Sequence, residues 1–161
     1  MQIADVQLLL DYSYAATGRI LATAARLDPA EFVAVPPLRG AASLRDILVH
    51  MLDTERGWRE DLRAGRRGTM PDLNPADFPD VAVLANAWRE DEARMRAWLA
   101  THNDATLSGA APNGRPLWVC LAHVANHSTQ HRSEAAMILT HWGASPGDLD
   151  LTFYLRGWRD D

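Results

Sequence analysis

Between Pro116 and Gly143 the chain reads PLWVCLAHVANHSTQHRSEAAMILTHWG, and within it His123, His127 and His131 recur every four residues. Imidazole titrates nearest neutrality and is the commonest metal ligand, so three at helical spacing mark the place to look for chemistry. A four-residue step turns a helical side chain by about 400°, a drift of roughly 40° from the one before. Consecutive histidines of the series can therefore share an ion, whereas His123 and His131, about 80° and 12 Å apart, cannot easily do so. His127 belongs to either pair. A third imidazole from another element turns an i,i+4 pair into a facial set with positions left open for water or substrate, as catalysis requires. His50, on an earlier apolar segment, is that candidate. The residues alone leave an alternative open, because HxxxH pairs often arise by chance and serve as hydrogen-bonded core or surface groups.

Other side chains near this series have competing roles. Glu55 follows His50 by five residues and is a catalytic candidate that could orient a ligand or a metal-bound water at the rim of a shared cavity. Pairing with Arg59 or Arg132 is its structural alternative. His123 either donates a hydrogen bond beside the site or fills space one turn below it. Cys120 lies one turn before His123 on the expected buried side, which favours core packing, since a reactive thiol needs access and a lowered pKa. His102 and His141 fall outside the pattern and read as surface histidines. There is no Gly-rich phosphate loop, no nucleophile elbow and no HExxH arrangement.

These groups need elements to position them. Val6, Leu9, Leu10, Ile20, Leu21, Ala24 and Leu27 predict a first helix over residues 3 to 26, stopped at Asp28-Pro29, in which Tyr12 and Tyr14 point different ways. Pro29 to Gly40 holds three prolines and changes direction. Ser43 is a candidate N-cap with Asp46 as a short capping-box partner, and the helix it starts runs to about Arg63 with His50 in its second turn and an i,i+4 Glu55–Arg59 pair. The turn-rich GRRGTMPDLNPADFPD crosses one end. A third helix spans Val81 to Leu99, less apolar at Glu90-Asp91-Glu92. Asn113-Gly114 predicts a short hairpin before the last long helix, which Pro116 opens from its first turn and Gly143 ends. A short helix from about Asp148 to Leu155 follows, with Leu149, Phe153 and Trp158 closing the core. The expected fold is all-α: a four-helix bundle, in which facing helices commonly build metal sites.

At 161 residues and 47% hydrophobic content the chain is one domain, 1–161, with one sizeable core. A formal charge of -5, spread along the chain, gives no concentrated positive potential for a nucleic acid. One cysteine excludes an internal disulfide. No apolar run approaches a membrane span and the N-terminal stretch lacks a signal-peptide pattern, so the expected location is the cytoplasm. Six tryptophans are many for this length and read as core and subunit-contact residues; the surplus of apolar surface predicts a homodimer.

LLDYSYAATGRILATAARL, SLRDILVHMLDTERGW, HVANHSTQHR and GASPGDLDLTFYL together resemble, in order and over nearly the whole chain, the DinB/YfiT-like superfamily of metalloenzymes. The resemblance implies a four-helix bundle, often dimeric, with nickel or zinc held by one histidine of the second helix, matched by His50, and two of the last long helix, matched by His127 and His131. Glu55, Trp58 and Asn126 match further recurrent positions. The common HRGQ ending is here His131-Arg132-Ser133-Glu134, which puts a side chain at 133 where helices approach. Relatives use mycothiol or bacillithiol in transferase or isomerase chemistry, where the metal would lower the thiol's pKa and present a thiolate to an electrophile.

Three functions therefore compete: a metal-dependent transferase joining a low-molecular-weight thiol to a small-molecule electrophile, a hydrolase using metal-activated water with Glu55 or His123 as base, and a non-catalytic bundle binding metal or a small ligand.

Overall fold

The computed structural model describes residues 1–158. Four long helices build it: α1 (Ile3–Ala24), α3 (Leu44–Ala64), α4 (Val81–Leu99) and α6 (Leu117–His141). Three five-residue helices join or follow them: α2 (Pro29–Val33), α5 (Asp104–Ser108) and α7 (Leu151–Leu155). α6 and α4 each pack against both α1 and α3, so the four stand as a closed square with α1 diagonal to α3. Among the described residues no helix is long and apolar enough to cross a membrane.

The predicted long helices form where their apolar stripes place them, and side-chain chemistry sets their ends. The Ser43 hydroxyl accepts the Asp46 amide at 3.1 Å, while Asp46 turns to Arg45 and leaves the box half-made. Gly143, at φ +77°, closes α6: its amide reaches Thr140 and that of Ala144 reaches Leu139 at 2.9 Å, a Schellman arrangement that a residue with a side chain adopts only with strain. Pro116 stands one position outside α6, just before its first residue, and makes no side-chain cap.

Three expectations need correction. The proline-rich segment contains α2, because Asp28 accepts the Ala30 amide at 2.8 Å, Glu31 reaches back to the Asp28 amide, and Pro29 loses nothing at a helix start. The hairpin shrinks to one bridge, Ala110 to Pro116, around a turn closed by Ala111 and Arg115 at 2.7 Å, and α5 occupies the stretch before it, capped by Asn103. The C-terminal helix starts at Leu151, where Asp150 caps the Thr152 amide at 2.7 Å. Leu149 packs on the core, but Trp158 lies against the Arg19 guanidinium, 4.6 Å from its ring centre.

The core contains Val6, Leu10, Ile20, Leu48, Met51, Leu84, Met95, Leu121, Ile138 and Leu139, with Trp88 buried and Trp58, Trp98, Trp118 and Trp142 packed at its edge. Cys120 is buried beside Asn113. Across the middle runs a belt of buried polar groups. Arg59 of α3 donates to Asp91 of α4 at 2.6 Å, with side chains only 2% and 4% exposed. Arg132 of α6 donates to the Ser13 hydroxyl of α1 at 2.6 Å and lies over the Tyr12 ring. Tyr14 of α1 donates across the square to Glu55 of α3. The i,i+4 Glu55–Arg59 pair is not bonded: both side chains are inside, Arg59 bonds Asp91 and Glu60, and Glu55 bonds Tyr14.

Removing one partner of a buried ion pair strands the other. Asp91→Ala is expected to lower the unfolding free energy by about 3–5 kcal/mol, read from urea titrations followed by tryptophan fluorescence; a loss no larger than that of a surface alanine substitution would mean the pair is solvated.

Candidate metal centre

α3 brings His50 to the seam with α6 while the chain's apolar residues on either side of it, Ile47, Leu48, Val49 and Met51, go inward. The His50 ring centre lies 5.1 Å from that of His127 and 4.8 Å from that of His131, which are themselves 4.4 Å apart. One ligand-capable atom from each of the three lies within 4.8 Å of the others, so the trio could hold a metal ion. His50 is exposed and the other two are half-buried, so the cluster opens outward.

The donor set suits a divalent ion on two further counts. Nδ1 of His127 is buried and has no hydrogen-bond partner, a state that costs about 1–3 kcal/mol unless a partner takes that nitrogen. Burial first, then the neighbouring His131, His50 and His123, push the His127 pKa down to about 4, against the opposing charge of Glu134. That keeps His127 neutral at physiological pH, the form that ligates.

The remaining candidates sit elsewhere. His123, exposed, stays outside the trio with its ring centre 5.8 Å from that of His127 and 5.1 Å from that of Trp58. Imidazoles and indole thus form one row along the seam, ending at a cavity of about 260 Å³ that Trp58 lines with Thr54, Asp53 and Asn113. Asn126 is exposed. Ser133 is exposed too, and its hydroxyl donates to the Thr129 carbonyl of its own helix at 3.0 Å. His102 leans on Trp98 and its carbonyl, and His141 on Trp142.

Glu55 does not reach this face. Five residues beyond His50 it is turned by about 140° round the helix and lies 1% exposed inside the bundle. Its Oε1 accepts from Tyr14 and its Oε2 has no partner. Burial raises its pKa to about 7, opposed by the Tyr14 hydrogen bond, helped by the charge of Asp91 and opposed by that of Arg59. The residue that sequence reasoning passed over is Glu134, whose Oε2 lies 2.7 Å from Nδ1 of His131. The signal was available: an acid three places after a histidine on one helix is its surface neighbour.

Four long helices around a buried core, with three imidazoles meeting on one seam, define a helical bundle carrying a histidine cluster of metal-binding type. The chain belongs to the DinB family, whose sequence profile matches residues 1–160. Comparison with curated proteins returned no match.

The Glu55 carboxyl holds its proton more tightly folded than unfolded, so its contribution to stability is full below about pH 4.5 and is lost as pH rises through about 7. Glu55→Gln keeps an acceptor for Tyr14 without the ionisation. Thermal melts from about pH 5 to about pH 8 are expected to shift in favour of the variant relative to the wild type; parallel profiles would mean that Glu55 is not held protonated by burial.

Proposed function

We propose that the protein is a divalent-metal-dependent enzyme, with nickel or zinc held by His50, His127 and His131, that transfers a low-molecular-weight thiol such as mycothiol or bacillithiol to a small electrophile. The observation carrying this reading is the convergence of three imidazoles from two helices on an open face, a set that leaves coordination positions for another molecule. When bound, the ion supplies Lewis acidity that lowers the pKa of a thiol reaching it.

The chain's own residues do the rest. His127 stays neutral, chiefly through burial and then through the neighbouring imidazoles, so protons do not compete strongly for it. Trp58 and His123 offer aromatic surface beside the trio, and the adjoining cavity gives a small molecule somewhere to sit. The nucleophile comes from outside, because Cys120 is 2% exposed and packed in the core. Attack by activated water would have to use His123 as its base, because Glu55, the other candidate for that reading, faces the interior. A homodimer formed through the helices' exposed apolar residues, such as Leu8, Val83 and Met137, belongs to the same proposal.

The test combines metal analysis of untagged protein with a thiol-conjugation screen of nickel- and zinc-loaded protein using mycothiol, bacillithiol and glutathione. About one ion per chain and thiol-dependent turnover are expected, with both lost in His127→Ala because the remaining pair lacks the facial set. Stoichiometric metal without any thiol dependence would favour the hydrolytic or purely binding alternatives, and no metal uptake would remove the catalytic reading altogether.

A further inference from the structure

Of the three clustered imidazoles, His131 has a hydrogen-bond partner on the ring. Its Nδ1 lies 2.7 Å from Oε2 of Glu134, one turn further along α6. His127, by contrast, has a buried Nδ1 with nothing to bond. An ionised carboxylate has no proton to give, so the hydrogen in the Glu134 contact belongs to the ring. That places N–H on Nδ1 and leaves the lone pair of His131 on Nε2. The ring stands edge-on to both companions, at 85° to His50 and 61° to His127, so its rotation decides whether that lone pair meets theirs.

We propose that Glu134 is the positioning residue of the metal centre: its carboxylate holds His131 as the Nδ1–H tautomer and aims Nε2 at the point shared with His50 and His127. The inference rests on the metal reading of the trio and adds a group outside it. A carboxylate behind a ligating histidine fixes ring and tautomer and raises the ligand's basicity. The contact has the reach and the exposure this requires. The Glu134 side chain is 41% exposed and the His131 side chain 16%, so the carboxylate stays hydrated while the ring it holds turns into the seam. Glu134 therefore supports the ligand without joining the ligand set.

Two variants and two readouts test this. Long-range proton–nitrogen NMR on metal-free protein at about pH 8, above the imidazole range, reports the His131 tautomer. The wild type is expected to be protonated on Nδ1, with Glu134→Ala moving toward the Nε2–H form that an unconstrained imidazole favours. Chelator competition for nickel and zinc is expected to show Glu134→Ala about 10–100-fold weaker. Glu134→Gln, whose amide oxygen accepts the same N–H, should recover most of that loss. The melting temperature of the metal-free protein is expected to stay near the wild-type value in both, because the Glu134 side chain is 41% exposed. An unchanged tautomer in Glu134→Ala, or wild-type metal affinity despite a changed one, overturns the proposal. A wild-type chain that takes up no metal overturns the metal reading and this role with it. The tautomer measurement, made without metal, tells that failure apart from a Glu134 that never held the ring.

Discussion

The register between α3 and α6 is the constraint on which the site depends. His50 meets His127 and His131 while, eight residues further along α3, Trp58 meets His123, eight residues back from His131 along α6. Equal spacing in opposite directions means that the helices run antiparallel and stay in step over about 12 Å. A slip of one residue on either helix would swing its side chains by about 100°, and the imidazoles would no longer share a point. The chemistry proposed for this chain is therefore a property of a helix interface before it is a property of any one histidine.

The buried polar belt acts on that interface. Arg59 ties α3 to α4, Arg132 ties α6 to α1, and Tyr14 reaches from α1 to Glu55 on α3, so each long helix carries a group whose partner is on another. Burying such groups costs desolvation and the net stabilisation from a satisfied pair can be small. A packing that slides one helix leaves a guanidinium or a carboxylate inside without a partner, which is much worse than a displaced leucine. The belt thus discriminates among registers even where it adds little to stability. This explains why a surface site as demanding as a three-histidine cluster is built over a core that is not purely apolar.

The same belt divides what the amino-acid pattern revealed from what it concealed. The spans of the long helices were legible, Val81–Leu99 to the residue, because apolar stripes and caps such as Ser43 and Gly143 are local signals. The histidine trio was legible because i,i+4 spacing converts directly into a shared face, and the family resemblance pointed to the third member. The five-residue helices α2 and α5 were not, since nothing that short has a periodicity and only Asp28 and Asn103 announce them. Buried charge leaves a subtler mark. Asp91 sits on the stripe Leu84, Trp88, Met95, Leu99, and Arg59 and Glu55 continue the stripe of Leu48 and Leu52. Treating Glu90-Asp91-Glu92 as one polar interruption obscured that its middle residue faces inward and its neighbours do not.

Glu55 and His50 show what a single helix does with two titratable residues that lie close in sequence. Turned by about 140° from each other, they occupy different dielectric worlds. The carboxyl is enclosed, bonded to Tyr14 and pushed toward neutrality, while the imidazole stands at the surface beside two others. α3 is the wall between these environments. Cys120 and Glu55 are both buried in the bundle, and what reaches the open face is imidazole, His123 included, indole and the carboxylate of Glu134. A face so furnished can hold and orient, but it offers little to attack with. The thiol transfer proposed above imports its nucleophile, and so asks nothing of the buried Cys120.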